Sequence, residues 1–418
     1  MNVYRGKTRP CAERKATMLA IFALLAPLVA IGQTPSPPLP LVAPAELGFD
    51  AEKLKTIDDI VARGLAEKKM PGCVVAFGRQ NKLAWLKAYG NKRVEWEGEP
   101  AEAMTVDTLF DLASLTKPIA TGTSVMVLVE RKKVRVDELV AHYLNDFGRT
   151  GDRAADQLKC EVKVQHLLEH TSGLIADNPI GDYEHGVAEA KRRLLALKLK
   201  TPAGTNFVYS DVNFLTLGLL IEKVSGQNVN AYSQEHIFQP LGMKETTFVP
   251  GADLKKRCAP TQRRHGEWMQ GEVHDPRAYK LDGIAGHAGL FSTAGDLAKY
   301  AATMLNRGAY QNARIMNEET WQLMTTGNVV PAKRTSGEKY EGLRGLGWDM
   351  RTGFSTNGGT ARSKKAFGHG GFTGTVIWID PEQDWFFIFL SNRVHPDGKG
   401  AVNPLAGEIA TVISEARR

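Results

Sequence analysis

Hydrophobic and polar positions alternate with two different periods along this chain, and the periods predict where strands and helices lie. Residues 72–77 and 83–89 are apolar-rich runs separated by Gly78-Arg-Gln-Asn-Lys82, a pattern typical of a β-hairpin. Residues 375–379 and 385–390 flank Asp380-Pro-Glu-Gln-Asp384 in the same way. The sequence therefore predicts one hairpin near each end of the globular part of the chain.

The segments between the hairpins have helical periodicity. Helices are predicted over residues 164–170 and over 212–224, which Gly226 would end, and another from Thr293-Ala-Gly-Asp296, a capping-box pattern. Amphipathic residues 54–65 and residues 405–416 predict two further helices. We expect an α/β (α+β) fold: one antiparallel sheet built from N- and C-terminal strands and flanked by helices, plus a mostly helical second lobe. A cleft between the lobes is where a substrate would bind.

One apolar run, residues 118–129, is nonpolar nearly all round, which is typical of a buried helix. It follows Asp111-Leu-Ala-Ser-Leu-Thr-Lys117, so that Ser114 and Lys117 would be neighbours on one helical face. A serine hydroxyl becomes a good nucleophile when a nearby base takes its proton, and a lysine can be that base if its pKa is lowered. Pro118 favours a position at the helix start, beside the positive end of the helix dipole. These features make Ser114 and Lys117 candidate catalytic residues.

The same spacing recurs at Ser336-Gly-Glu-Lys339. This second copy lies in a polar stretch with lysines, arginines and glycines and without a helical apolar period. We interpret it as a solvated loop rather than a catalytic site.

Residues 1–32 have the form of a cleavable export signal. A basic segment precedes the apolar run 16–31, and Ala30-Ile31-Gly32 supplies small residues at a plausible cleavage site. The apolar run contains Pro27 and is shorter than the ~20 residues that a spanning helix needs. We therefore expect cleavage, no stable membrane anchor afterwards, and a periplasmic or secreted protein. Residues 33–44 are predicted to be a proline-rich spacer.

Charge and cysteine content exclude some classes of protein. The net charge is +7, but most of the excess lies in the signal segment, and no clustered basic face for nucleic acid is evident. Of the four cysteines, Cys11 would leave with the signal. Cys73, Cys160 and Cys258 are too widely spaced for a disulfide framework or a zinc site, so they are interpreted as buried small hydrophobes, with a disulfide among them left open.

Two further polar motifs stand at predicted element starts, where side chains can point into a cleft. Tyr209-Ser-Asp211 precedes the helix at residue 212, and Gly368-His-Gly-Gly371 precedes the strand at residue 375. Structural alternatives exist for each: Tyr209 as a core aromatic, Asp211 as a helix N-cap and His369 as a turn residue. His287, in Gly286-His-Ala-Gly289, is interpreted as structural.

Taken in order, these motifs resemble those of the serine hydrolases of the β-lactamase and penicillin-binding-protein superfamily. Ser114 to Lys117 matches Ser-x-x-Lys, Tyr209 to Asp211 is similar to Tyr-x-Asn, and His369 to Gly371 is similar to Lys-Thr-Gly. The resemblance runs from about residue 47 to the C-terminal helix. It is closest to the class C-like branch, with its low-molecular-weight D-Ala-D-Ala carboxypeptidases and β-lactamase-fold esterases. It implies that residues 45–416 form a single hydrolase domain with two lobes.

The resemblance also implies a mechanism. Ser114 would attack an amide, ester or lactam carbonyl, Lys117 and Tyr209 would share the proton transfers, and water would hydrolyse the acyl-enzyme. The sequence leaves open which of the two is the base. Backbone N–H groups of Ser114 and Phe372 would bind the oxyanion, and Gly371 would let the substrate backbone approach closely. A small-molecule or peptidoglycan-derived substrate is implied, without metal or organic cofactor.

Two positions depart from the family pattern. Asp211 stands where many members have asparagine, so it can accept from Lys117 but cannot donate to a substrate carbonyl. It could also hold Lys117 protonated, which would favour Tyr209 as the base. His369 stands where penicillin-hydrolysing members usually have lysine. Both departures weaken the case for a specialised β-lactamase and leave acyl transfer intact.

Two alternative functions remain open from the sequence. A penicillin-binding sensor that acylates slowly or not at all would keep the same serine motif. A zinc peptidase is the second, because His166-Leu-Leu-Glu169-His170 matches the inverted zincin pattern. That site would need a third ligand. No Gly-x-Ser-x-Gly elbow of a lipase-type hydrolase occurs.

Overall fold

The computed structural model describes residues 39–418. The predicted export signal and residues 33–38 of the predicted spacer lie outside the described residues. The last spacer residues lie along the sheet, because Leu41 forms an isolated parallel bridge with Leu83. Among residues 39–418, no helix combines the length and the apolar character needed to cross a bilayer.

A nine-stranded antiparallel sheet forms the centre of the fold, and both predicted hairpins belong to it. Its strand order is β10-β11-β12-β13-β14-β15-β1-β2-β3. The two hairpins meet where β1 pairs antiparallel with β15, so the sheet is assembled from the two ends of the chain as predicted. The described strands are β1 Gly72–Arg79, β2 Lys82–Arg93, β3 Glu102–Ala103, β4 Phe110–Asp111, β5 Arg263–Arg264, β6 Glu267–Trp268, β7 Phe291–Ser292, β8 Ala309–Tyr310, β9 Ala313–Arg314, β10 Asn328–Lys333, β11 Lys339–Arg344, β12 Asp349–Arg351, β13 Phe367–Gly371, β14 Thr375–Asp380 and β15 Trp385–Ser391.

Helices are the main regular secondary structure between β3 and β10, as the periodicity predicts. Thr293 caps α12 by accepting from the N–H of Asp296, which confirms the capping pattern. The described helices are α1 Ala51–Leu54, α2 Thr56–Ala66, α3 Thr123–Glu130, α4 Val140–Tyr143, α5 Arg153–Lys159, α6 Val164–Leu168, α7 Val187–Leu195, α8 Asp211–Ser225, α9 Val229–Ser233, α10 Ala252–Arg257, α11 Pro276–Lys280, α12 Ala294–Leu305, α13 Glu318–Thr325 and α14 Asn403–Glu415.

The central sheet is covered on both faces, which explains the uninterrupted apolar run of β15. Side chains alternate between the faces of a strand. Phe386 and Ile388 join the large core that contains α3, α8 and α12, whereas Phe387 and Phe389 join a second core with α2 and α14. Because both faces are buried, apolar residues are stabilising at every position of β15.

Three sequence expectations need correction. The helix expected over residues 118–129 begins with a π-helical turn, Lys117–Gly122, before α3. Ser336 does lie in an exposed loop, but the loop joins β10 to β11, two strands that were not predicted. Cys73 and Cys258 are buried and free, so no disulfide joins two of the three cysteines considered. Cys160 is half-buried rather than buried.

Candidate active site

Ser114 lies in a short 3-10 turn, Ala113–Leu115, immediately before the π-helical turn. Ala113 has φ +45°, in the left-handed region that an alanine rarely adopts. The carboxylate of Asp111 maintains this conformation, because it accepts from the N–H of Ala113 at 2.8 Å and from that of His274 at 2.7 Å. Strained backbone that is fixed in this way is concentrated at functional sites in proteins.

Lys117 is completely buried directly behind Ser114. Its ammonium donates to Ser114 Oγ at 2.9 Å and to the carbonyl oxygen of His287 at 3.0 Å, and it lies 2.6 Å from Asp211 Oδ1. Burial acts to lower the pKa of Lys117, but Asp211 and Tyr209 together outweigh burial and raise that pKa above its ordinary value. Lys117 is therefore a cation at neutral pH.

Asp211 is not the N-cap of α8. The capping side chain is Ser210, whose Oγ accepts from the N–H of Asn213 at 3.2 Å. Asp211 is therefore free to face Lys117. Burial opposes its ionisation, yet the charge of Lys117 holds the pKa of Asp211 below its usual value. The two residues form an ion pair within the site.

Tyr209 is half-buried and faces the cavity rather than the core. Its ring centroid lies 5.0 Å from the Lys117 ammonium, 5.1 Å from the ring of Phe354 and 5.9 Å from that of His369. Burial raises the pKa of Tyr209, although the charge of Lys117 acts in the opposite direction. The ordinary state at neutral pH is therefore a neutral phenol next to a lysine cation.

Two threonine hydroxyls hold the end of β13 against the nucleophile turn, which is the 3-10 turn Ala113–Leu115 together with the two residues before it. The hydroxyl of Thr373 donates to the carbonyl oxygen of Asp111 at 2.6 Å, and that of Thr375 donates to the carbonyl oxygen of Leu112 at 3.0 Å. A Cβ on Gly371 would lie 2.4 Å from the same Leu112 oxygen. Phe372 follows with its side chain exposed and stacked against His274 at 5.5 Å.

His369 belongs to β13, so the turn alternative for it is wrong. Its ring is buried and its Nδ1–H donates to the carbonyl oxygen of Gly370 at 2.8 Å. Burial, together with the charges of Arg344 and Lys117, holds the pKa of His369 well below its ordinary value. His369 is therefore neutral and adds no positive charge to the site.

These groups open onto a cavity of about 800 Å³. Six of the seven residues singled out in the sequence line it, and Lys117 lies beneath Ser114. The six are Ser114, Tyr209, Asp211, His369, Gly371 and Phe372.

The cavity also contains residues that sequence reasoning missed. Arg344 and Asp349 line it from β11 and β12, and Asp275 and Arg277 line it around the start of α11. Asp275 accepts from the N–H groups of Arg277 and Ala278 and contacts His287 Nε2 at 2.9 Å. Arginine and aspartate in glycine-rich segments have no hydrophobic period, so no pattern marked them.

Within residues 39–418, Asp211, Asp275 and His287 form the only group of three or more side chains whose ligand atoms are close enough to hold a metal ion. The Lys117 ammonium already lies against Asp211, which disfavours a second cation there. The zincin triple His166, Glu169 and His170 is not such a group.

Each zincin-pattern side chain has another partner. His166 Nδ1 accepts from the N–H of Lys163, His170 Nδ1 accepts from that of Ser210, and Glu169 accepts from the Asn328 amide. The zinc alternative loses its geometric basis.

The chain is similar to known proteins in both sequence and fold. A family model described as Beta-lactamase matches residues 57–411. A putative D-alanyl-D-alanine carboxypeptidase of Escherichia coli O157:H7 is 31% identical, and the alignment covers 91% of each chain. The N-acetylmuramyl-L-alanine amidase of Bacillus subtilis (strain 168) is 32% identical over 83% of this chain and 82% of that protein. A penicillin-binding protein homolog from Caulobacter crescentus has a similar fold, with a TM-score of 0.69, 18% identity, and coverage of 88% of this chain and 99% of that chain.

Proposed function

The chain belongs to the beta-lactamase family of serine hydrolases, and on that basis we propose that it is an exported hydrolase that forms an acyl-enzyme on Ser114. The substrates are D-alanyl peptide amides, esters or β-lactams. Residues 45–416 form its single catalytic domain with two lobes, and the export signal directs it to the periplasm or the cell exterior.

One observation carries the proposal: Ser114 Oγ accepts a hydrogen bond from a fully buried lysine that is itself paired with Asp211. A surface serine with a solvated lysine neighbour would not require a strained turn and an ion pair to a buried lysine. Here the serine opens onto the cavity, while the lysine that donates to its Oγ is completely buried.

The protonation states of Lys117 and Tyr209 constrain the mechanism. In the resting site Lys117 is a cation and Tyr209 is a neutral phenol, so neither is a free base. As Ser114 Oγ bonds to the substrate carbonyl carbon, its proton passes to Tyr209 while the phenol proton passes to the leaving nitrogen or oxygen. The Lys117 ammonium stabilises negative charge on Ser114 Oγ and on the Tyr209 phenol oxygen during this transfer. Water then attacks the acyl-enzyme carbonyl and passes its proton to Tyr209, while the phenol proton returns to Ser114 Oγ as the acid is released.

The oxyanion is bound by the backbone N–H groups of Ser114 and Phe372. Thr373 and Thr375 support this role because they tie the β13–β14 connection to the carbonyl oxygens that precede Ser114. Each such donor typically contributes roughly 3 kcal/mol to catalysis.

The names of the relatives favour a substrate from peptidoglycan. One is named for a D-alanyl-D-alanine bond and the other for a muramyl-L-alanine bond, and both bonds are amides of alanine. Asp211 and neutral His369 remain arguments against a specialised β-lactamase.

The test is a panel of four substrates given to the parent protein and to Ser114→Ala: a D-alanyl-D-alanine peptide, a muramyl-L-alanine peptide, an activated acetyl ester and a penicillin. We expect turnover of at least one amide or ester, and its loss in the variant. A lasting penicillin adduct without turnover of any substrate would instead identify a slowly acylating sensor. Turnover unchanged in Ser114→Ala would contradict the proposal.

A further inference from the structure

His287 is a fully buried histidine in the wall of the catalytic cavity, on the side opposite β13. Its backbone carbonyl oxygen accepts from the Lys117 ammonium at 3.0 Å, and the same ammonium donates to Ser114 Oγ. A single cation therefore lies between the main chain of His287 and the nucleophile. The sequence alone assigns this histidine a structural role, but its ring reaches the site where the reaction takes place.

Asp275 holds the His287 ring in one orientation. Its Oδ1 accepts from two N–H groups at the start of α11, those of Arg277 at 2.9 Å and Ala278 at 2.8 Å. Burial opposes ionisation of Asp275, but His287 and the N–H of Ala278 are among the groups that outweigh burial and hold the pKa of this carboxyl below its usual value. An ionised carboxylate only accepts, so His287 Nε2, 2.9 Å away, carries a hydrogen and donates it. In the neutral ring Nδ1 is then an acceptor.

The Nδ1 atom of His287 is buried and has no hydrogen-bond partner among residues 39–418. Buried polar atoms nearly always have a partner, and an ordered water supplies it where the protein does not. One ligand atom each of Asp211, Asp275 and His287 lies within 4.8 Å of the others, which places the ring beside the ion pair of Asp211 and Lys117. This part of the cavity is polar, so it suits a water with several partners.

We propose that His287 positions the water that hydrolyses the acyl-enzyme, by accepting a hydrogen bond from that water at Nδ1. The water oxygen bonds to the acyl carbonyl carbon, and the water proton that does not face His287 passes to Tyr209. The phenol proton moves to Ser114 Oγ as the bond between Oγ and the acyl carbon breaks. His287 gains and loses no proton, and acts by fixing the orientation of the water.

This inference rests on the proposed hydrolase function and deepens it, because it assigns His287 to only one half of the reaction. Acylation of Ser114 consumes no water, so the Nδ1 acceptor of His287 should not affect it. Deacylation requires the water and should depend on that acceptor. A merely structural histidine would affect both halves.

The experiment measures the two halves separately with para-nitrophenyl acetate. Rapid mixing gives the acylation rate from the release of para-nitrophenol, and the intact mass after removal of the ester gives the rate at which the enzyme loses its acetyl group. In His287→Gln the amide nitrogen can still reach Asp275, but nothing replaces Nδ1. In His287→Asn the side-chain oxygen lies near the position of Nδ1 and can accept. His185→Gln is the matched control, because His185 is exposed and does not line the cavity.

We expect His287→Gln to slow deacylation roughly 10- to 100-fold and to change the acylation rate less than about twofold, so that the acetyl-enzyme accumulates. His287→Asn should recover part of the deacylation rate, and His185→Gln should match the parent. Unchanged deacylation in His287→Gln, or equal slowing of both steps, would overturn the inference. If the parent acquires no acetyl group on Ser114, the hydrolase proposal itself fails, and this inference fails with it.

A measurement on the parent protein covers the case in which neither His287 variant folds. A high-resolution crystal structure of the parent should show an ordered water about 2.7 to 3.2 Å from His287 Nδ1, within hydrogen-bond distance. A protein group in that position, or a ring whose Nδ1 contacts no water, would overturn the inference.

Discussion

The Lys117 ammonium lies 2.6 Å from Asp211 Oδ1 and 2.9 Å from Ser114 Oγ, so a single cation connects the half-buried carboxylate of Asp211 to the proposed nucleophile. An asparagine at this position could not compensate the lysine charge, because an amide is neutral. The pair holds Lys117 in its cationic form, which makes Tyr209 the first acceptor of the serine proton in the proposed mechanism.

The negative charge of Asp211 raises the pKa values of both Lys117 and Tyr209. In the proposed mechanism Ser114 reacts while Lys117 is a cation and Tyr209 is a neutral phenol, so loss of either proton at high pH should lower activity. Asp211→Asn removes the negative charge that favours both protonated forms, so both pKa values should fall. We expect the alkaline limb of the kcat/KM profile to move to lower pH in Asp211→Asn. Asp253→Asn is the control, since Asp253 is almost fully exposed. An unchanged limb, or one moved to higher pH, would show that Asp211 does not set these pKa values.

The raised pKa of Glu169 should make the folding stability of the protein depend on pH. Burial raises its pKa from an ordinary 4.5 to about 7, partly offset by the hydrogen bond from Asn328. An acid with a raised folded-state pKa stabilises the fold below its unfolded pKa and loses that contribution as pH rises to the folded value. Relative to Glu169→Gln, the parent should lose up to about 3 kcal/mol of unfolding free energy between pH 4.5 and 7. Denaturant unfolding of both proteins across this range measures the difference, and parallel curves would contradict it.

Gly371 should be intolerant of a side chain. A Cβ there would lie 2.2 Å from Thr375 Oγ1 and 2.4 Å from the Leu112 carbonyl oxygen, so β13 would have to move away from the nucleophile turn. Because Phe372 follows directly, the oxyanion donor would move as well. We expect Gly371→Ala to lower kcat by about 100-fold, in the range found when an oxyanion donor is removed.

The matched control for Gly371→Ala is Gly295→Ala in α12. A Cβ at Gly295 would come no closer than 3.9 Å, to Thr293 Oγ1, and alanine favours a helix. This variant should keep full activity. Equal kcat values for the two variants would show that the close contact between β13 and the nucleophile turn does not matter for the reaction.

The period of hydrophobic residues was sufficient to predict the fold where the strands are long and buried. Both hairpins of the central sheet and the helix at residue 212 follow from it, because burial on one or both faces imposes a period. The β10–β11 hairpin did not follow, because β10 buries only Val330 and Ala332, and Pro331 between them is unfavourable within a strand pattern. The π-helical turn after Ser114 was not predicted either, because it has the same apolar composition as an α-helix.

The site was predictable where chemistry imposes spacing. Ser114 and Lys117 are close in sequence. The Tyr209 motif lies at the start of α8 and the His369 motif lies within β13, and the structure brings both to one cavity. Arg344 was not predictable, because its burial depends on Asp349 and Phe207, which only the folded chain brings together. The cap of α8 was also missed, since Ser210 and Asp211 are both good N-cap residues and sequence cannot choose between them.

The most direct test of the central claim is the mass of the intact protein after brief reaction with an activated acyl ester or a penicillin, followed by mapping of the modified peptide. The account predicts one adduct per chain, on the peptide containing Ser114, absent from Ser114→Ala and unchanged in Ser336→Ala, whose serine has the same spacing to a lysine but lies in the exposed β10–β11 loop. An adduct on any other residue, or one that persists in Ser114→Ala, would contradict the assignment of the nucleophile.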